Sequence, residues 1–468
     1  MTTTEYDLIV IGAGAVGENV ADRAVQGGLT ALIVESELVG GDCSYWACMP
    51  SKALLRSGMV YRAAKKVGGA SEAVTGDLDV AATFKRRTEI IHDWDDEGQV
   101  KWLEGAHIDL ARGHGRITGV KEVTIGDTVY TARHAVCVST GSVALLPDIP
   151  GLAGTEPWTS HDATSAKVAP KSLAIIGGGV VAVEMATAYA SFGTKVTIIS
   201  RSSLLAGQEP FAGELVGDSL KELGATVLLN TSPTAVSKKD GDFVVEVDGG
   251  DAIVAEKLLV AAGRVPRSMD LGLDSIGLKD GDWLEVDDTM LVKGFDWLYA
   301  TGDINHRVLL THQGKYQARA AGDVIVARAL GKPVRDEAWG VHVATADHEA
   351  VPQVTFSDPE VASVGLTADA AEKAGYDTRV IDYDLSWLAG TAIQADNYVG
   401  KARMVVDEKR KVVLGVTFVG QDVGEMLQAA TIAVVGEVPL DRLWHAVPAY
   451  PTMNEIWLRL LETYGRPS

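Results

Sequence analysis

Residues 6–17 read YDLIVIGAGAVG, an apolar run that ends in Gly12, Gly14 and Gly17 and opens directly into a helical pattern. Strand, glycine turn and helix in that order begin a dinucleotide-binding βαβ unit. Gly12 permits the tight bend, Gly14 lets backbone approach a pyrophosphate, and Gly17 lets the helix pack close to the sheet. The helix N-terminus then faces the phosphates. The next apolar run, ALIVE at 31–35, ends at Glu35. That offset suits a carboxylate holding a ribose hydroxyl pair, and the position at the start of a long chain suits FAD as well as NAD.

The pattern recurs at 172–184, SLAIIGGGVVAVE, where Gly177, Gly179 and Ala182 repeat the fingerprint with Ala in the tolerated third place. Ser200 stands at the offset that Glu35 occupies in the first unit, and Arg201, Ser202 and Ser203 follow it. A cation with hydroxyls accepts a ribose 2′-phosphate where a glutamate would repel it, so the second unit reads as preferring NADPH, with NADH a possible donor.

Working outward, the 468 residues make room for about three domains at roughly 150 residues each. A composition of 47% hydrophobic and 22% charged residues excludes a disordered or fibrous chain. The 50 glycines cluster after short apolar runs, as in α/β proteins with strand-to-helix turns. The net charge of −21 repels phosphate backbones and acidic membranes, which argues against nucleic acid and membrane partners. No apolar run reaches the roughly 18 residues of a membrane span, and the start MTTTEYDLIVIGAG lacks the basic head of a signal peptide, so a cytoplasmic location is expected.

Three cysteines are too few for a disulfide scaffold. Cys137 sits alone in an apolar run, while Cys43 and Cys48 lie close together in GGDCSYWACMPSKALLR, residues 40–56. A close pair in a reducing compartment points to redox chemistry or a metal. Without matching Cys or His clusters the pair makes a poor zinc site, and no metal site is assigned. In a regular helix five residues rise about 7.5 Å, beyond the roughly 7 Å limit for a bridge. Joining the two thiols would therefore require a distorted first turn.

Together with the two dinucleotide units, this segment resembles the signature of the pyridine nucleotide-disulfide oxidoreductases, the flavoproteins that include dihydrolipoamide dehydrogenase, glutathione reductase and mercuric reductase. The resemblance runs along nearly the whole chain, through VSTGS at 138–142 with Gly141, VAAGRVPR at 260–267 with Gly263, YATGDI at 299–304, VPQVTFSDPEVASVGLT at 351–367 and VLGVTFVGQDVGEML at 413–427. It implies an α/β fold of two Rossmann-like domains and a C-terminal α+β dimerisation domain. FAD would bind a discontinuous domain at 1–150 and 265–342, NADPH would bind 151–264, and 343–468 would form the interface of a homodimer.

The resemblance also implies roles. NADPH would reduce FAD, and the flavin would reduce a Cys43–Cys48 disulfide, with Cys48 the thiolate next to the ring and Cys43 the outer thiol. Asp303 matches the carboxylate on the ribityl or phosphate side of the flavin. Lys52 and Glu184 match an ion pair near its N5, where a lysine stabilises the reduced ring and a carboxylate keeps that lysine charged and oriented.

The chain departs from the family where proton transfer is expected. AVPAYPTMNEIW, residues 446–457, keeps Pro451, Thr452 and Glu455 but has Tyr450 where thiol reductases carry the acid/base histidine. A phenol titrates near pH 10 and shuttles protons poorly at pH 7. His445, five residues upstream, reads as a solvated or structural residue, with proton transfer by His445 or water as the alternative should a disulfide be the substrate. A tyrosine in this region is similar to mercuric reductases, yet the end LLETYGRPS has no cysteine pair to hand over an ion. Tyr45 and Trp46 add aromatic bulk between the cysteines, and Val180 replaces a tyrosine that covers the flavin in many relatives. The expected activity is reduction of a small-molecule electron acceptor, a metal ion, quinone or small electrophile. The alternatives are reduction of an unusual low-molecular-weight or protein disulfide, and a flavin-bound redox sensor with little turnover.

Overall fold

A computed structural model describes residues 4–466. It divides into two compact units, each built from discontinuous stretches of chain.

The first unit comprises Met1–Pro50, Thr88–Leu145 and Arg264–Asp347. Its sheet is centred on the strand Glu5–Ile11, which runs parallel to Ala31–Glu35 on one side and to Thr128–Val138 on the other. Leu8 pairs with Ala31, and Val10 with Cys137. Asp109–Arg112 extends the sheet beyond Ala31–Glu35, and Leu298–Ala300 lies parallel to Thr128–Val138. Leu8, Ile9 and Val10 are fully buried, because both faces of the sheet are covered. One face packs on the helices Ala15–Gln26 and Thr311–Ala329, where a Cβ on Gly322 would stand 2.5 Å from that of Arg23. The other face packs on Leu271, Leu284, Val292 and Trp297.

The second unit comprises Ser51–Arg87, Leu146–Gly263 and His348–Ser468. Four parallel strands, in the order Thr226–Leu228, Lys195–Ile199, Ser172–Ile176 and Lys257–Val260, form its dinucleotide-type sheet. The helix Val180–Ser191 that follows the second glycine turn is buried from Ala182 to Ala190, as its mostly apolar sequence requires, with Glu184 a buried exception. Residues after 350 build a five-stranded antiparallel sheet in which Val412–Gly420 is buried at every position between Glu360–Gly365 and Lys401–Asp407. The α/β architecture with two dinucleotide-type sheets, the first also carrying an antiparallel pair, and a C-terminal α+β portion is the one read from the sequence.

The cysteine segment is not a single regular helix. Cys43 lies in a one-turn helix, Gly41–Tyr45, and Cys48 begins the helix Cys48–Lys65. Trp46 leaves helical geometry at φ −134°. The chain therefore leaves regular helical geometry between the two cysteines, which are not joined by a disulfide in this structure.

Candidate functional site

Gly12 has φ +103°, and a Cβ there would stand 2.5 Å from Ser139 O. No other residue fits this bend between two neighbouring strands. Its counterpart Gly177 has φ +133° and meets Ala261 O at 2.2 Å in the same sense. The two units thus make the same turn for the same steric reason. A Cβ on Gly17 would fall 2.0 Å from Gly12 O, so the first helix can start only where that side chain is missing.

A cavity of about 330 Å³ opens at the carboxyl end of the first sheet, against the Gly12–Gly14 turn. Glu35, Gly141, Asp303 and Cys43 line it, so residues far apart in sequence meet in one cleft. Glu35 is 8% exposed; its carboxylate accepts hydrogen bonds from Ala13 N at 2.8 Å and Glu37 N at 2.7 Å. Burial pushes its pKa above the ordinary glutamate value, against those two donors. Burial likewise raises Asp303, against Ser142 Oγ, which donates to it at 2.5 Å, and the Arg264 guanidinium 3.7 Å away. Arg264 also donates to Ser142 Oγ at 2.5 Å and Ser142 O at 2.6 Å, and lies 3.6 Å from Asp42, the residue before Cys43.

This lining fits the adenosine and diphosphate part of FAD. It has a glycine cradle that side chains would fill, a buried carboxylate held by backbone N–H groups at the end of the second strand, and a lining that reaches Cys43.

Both cysteines of the pair are half-buried. Cys48 Sγ lies 3.4 Å from Thr311 Oγ1 at the first residue of the 19-residue helix Thr311–Ala329. Cys137 is a different kind of thiol: fully buried, with its pKa pushed up to about 11 by burial against weak contacts to Thr301 and Ser139. It is a core residue. Tyr45 is buried and Trp46 half-buried, their rings edge to face at 5.8 Å.

In the second unit, Lys52 Nζ donates to Glu184 Oε2 at 2.8 Å, and Phe356 N donates to Glu184 Oε1 at 3.0 Å. Glu184 is 3% exposed. Lys52 Nζ also stands 5.0 Å from the centre of the Phe356 ring. Ala182 is fully buried against the sheet. Ser200 is buried beneath the glycine turn, since a Cβ on Gly178 would fall 2.4 Å from its Oγ, while Arg201, Ser202 and Ser203 are exposed. Gly179 caps the helix Val180–Ser191, and Gly263 takes φ +137° next to the strand Lys257–Val260.

Tyr450 is 75% exposed, and His445 is exposed as well. Glu455 is buried at 4% exposure with Oε2 lacking a hydrogen-bond partner, and Arg459 lies 3.8 Å from its Oε1.

Sequence reading did not single out Ser142, Thr311 or Arg264 as individual residues, although VSTGS carries the first and VAAGRVPR the last. Their roles come from partners more than 100 positions away.

The family model for the pyridine nucleotide-disulphide oxidoreductases matches residues 6–319, and the model for the dimerisation domain of that family matches residues 351–460. Among curated proteins, the chain is 32% identical to a dihydrolipoyl dehydrogenase of Thermus scotoductus over 460 residues, covering 96% of this chain and 95% of that one. It is 29% identical to a mercuric reductase of Staphylococcus aureus over 457 residues, covering 96% and 81%. Among solved structures it superposes on an HOCl-induced flavoprotein disulfide reductase of Escherichia coli in its Cu(II) complex, with a TM-score of 0.83, 22% identity and 99% of each chain covered. No helix among the described residues is long and apolar enough to cross a membrane.

Proposed function

The chain belongs to the pyridine nucleotide-disulphide oxidoreductase family, flavoprotein oxidoreductases that depend on FAD and a pyridine nucleotide, and from that premise we propose that it reduces a small-molecule acceptor at the expense of NADPH through the Cys43–Cys48 pair. The acceptor class is a metal ion, a quinone or a small electrophile. FAD, when bound, supplies the two-electron relay between nicotinamide and sulfur. Gly12, Gly14, Gly17, Glu35, Gly141 and Asp303 hold it, Lys52 and Glu184 set the charge near its ring, and Gly177, Gly179, Ala182, Ser200, Arg201 and Gly263 form the NADPH site. The domains follow the sequence boundaries: FAD at 1–150 and 265–342, nicotinamide at 151–264, and a homodimer interface at 343–468. A sedimentation run is expected to show a dimer; a fully active monomer would remove this part of the reading.

The observation that carries the choice of acceptor is Tyr450, an exposed phenol where thiol reductases hold an imidazole. Acceptors that need no proton from the enzyme are served by such a site, and dithiol exchange is served poorly. The test is a screen of metal ions, quinones and disulfides against the NADPH-reduced protein, read through loss of thiolate-to-flavin charge-transfer absorbance. Fast reoxidation by lipoamide or glutathione disulfide would reverse the choice. One feature favours disulfide reduction as a second reading: Glu455 keeps a buried oxygen without a hydrogen-bond partner, able to accept from a proton donor.

Arg201 decides the nicotinamide. Arg201→Glu is expected to cut kcat/KM with NADPH by about 100-fold, one charge-assisted contact with a phosphate lost and one repulsion gained, while NADH changes by less than about threefold. Parallel losses with both donors would mean that Arg201 does not read the 2′-phosphate.

A further inference from the structure

Glu18 is a buried carboxylate that this reading leaves without a task. It follows Gly17 in the first turn of the helix Ala15–Gln26, and its backbone N–H donates to Gly14 O at 3.1 Å. It is 8% exposed, and its Oε1 is buried without a hydrogen-bond partner. Such a group is costly when charged and tolerable when protonated, because nothing replaces the water lost from the unmet oxygen. Burial, opposed by Lys315 and reinforced by Glu35, pushes its carboxyl up to about 7.

The cysteine segment is seated on the same turn. Gly40 N donates to Ala13 O at 2.7 Å, and a Cβ on Gly41 would stand 2.8 Å from Gly14 Cα. Three charged or titratable groups face Glu18 from the elements around it: Lys315 from the helix Thr311–Ala329, Glu35 from the neighbouring strand, and Tyr45 from the one-turn helix of Cys43. Tyr45 in turn feels Asp95, Asp96 and Arg112. On the long helix, Thr311, which meets Cys48 Sγ, and Lys315, which faces Glu18, are four residues apart and share a face. Glu18 and the cysteine segment are thus seated on the same glycine turn, with Tyr45 of that segment facing Glu18.

We propose that Glu18 takes up a solvent proton when the Cys43–Cys48 pair is reduced, supplying from behind the glycine turn the proton store that Tyr450 does not provide. The inference rests on the reading of that pair as a redox couple. The balance is simple. NADPH gives up a hydride, two electrons and one proton; the S–S bond breaks and leaves one thiol and one thiolate. The site gains one negative charge, and the Glu18 carboxylate takes one proton from water to offset it. Reoxidation by a two-electron acceptor restores the S–S bond and releases both protons. Glu18 acts through the field it shares with the sulfurs, as a positioning residue for the proton.

The sign of the pH dependence follows. At pH 6 Glu18 is protonated in both oxidation states, so wild type and Glu18→Gln have the same cysteine reduction equilibrium. At pH 8.5 the charged wild-type carboxylate opposes thiolate formation and Gln does not, so the pair is about tenfold easier to reduce in the variant, as expected for one charge nearby at an effective dielectric near 20.

The experiment equilibrates the FAD-loaded protein with a dithiol buffer of known potential from pH 6 to 9 and counts alkylatable thiols. Curves that coincide at every pH, or differ by the same offset at every pH, would overturn the proposal. Glu18→Asp keeps an ionisable group and is expected to retain the bend at a displaced pH; a straight line there would overturn it equally. If the wild-type cysteines never change oxidation state, the redox reading itself falls. If they do and Glu18→Gln has no pH-dependent effect, only the role of Glu18 is lost.

Discussion

Cys48→Ser is expected to reduce NADPH-driven turnover with every thiol-dependent acceptor by on the order of 10³-fold while leaving the protein yellow, because a serine hydroxyl cannot take the place of a thiolate as nucleophile or electron carrier. Cys48 Sγ sits 3.4 Å from Thr311 Oγ1, at the first residue of a 19-residue helix. Cys43→Ser separates the two sulfurs. It leaves Cys48 and its hydroxyl partner in place, so the charge-transfer absorbance is expected to appear without reduction. Direct transfer to a quinone survives, whereas any acceptor that must bond to the outer sulfur is lost. Steady-state rates over the acceptor panel, with the visible spectrum of each variant, read these outcomes. Wild-type turnover of all acceptors in Cys48→Ser would remove the sulfur pair from the electron path.

The asymmetry between these two residues shows which parts of the site were legible in the chain. The glycine turns, Glu35 and the two dinucleotide-type sheets could be read because each is set by local rules: an apolar strand, a bend that excludes Cβ, and a carboxylate one strand further on. Gly12 and Gly177 even meet the same kind of backbone oxygen. The break at Trp46 was readable only as a condition, since spacing says that a bridge cannot span a regular helix and only tertiary contacts, here Gly40 and Gly41 seated on the Gly12–Gly14 turn, fix where the segment lies. Ser142, Arg264 and Thr311 were out of reach for a stronger reason. A serine or arginine in a motif has many bland uses, and its partners here come from the far side of an inserted stretch of chain. Glu18 gave no signal at all: glutamate in a first helical turn is ordinary capping chemistry, and only burial without a partner sets it apart.

Glu184→Leu is expected to slow reduction of the bound flavin by NADPH by about 100-fold, which corresponds to roughly 2.7 kcal/mol of barrier. The reason lies in what the carboxylate holds. Glu184 is 3% exposed and divides its oxygens between the Lys52 ammonium at 2.8 Å and Phe356 N at 3.0 Å. Leucine fills the volume but accepts neither bond, so the ammonium loses its orienting partner and an amide hydrogen is left unpaired. Breaking a fully buried pair costs about 3–5 kcal/mol. Lys52 is 34% exposed and water recovers part of that, so a stability loss of about 1–3 kcal/mol is expected in denaturant titration. Glu184→Gln keeps an acceptor for Phe356 N and should recover most of the stability but little of the rate, since the charge that fixes Lys52 is still missing. Lys52→Met removes the cation and should match Glu184→Leu in rate while costing at least as much stability, because it leaves the buried Glu184 carboxylate with only its backbone donor and no counter-charge. Stopped-flow bleaching of the flavin measures all three. If Lys52→Met is reduced as fast as wild type, the ion pair is a brace for the helix Cys48–Lys65 and sets no charge at the ring.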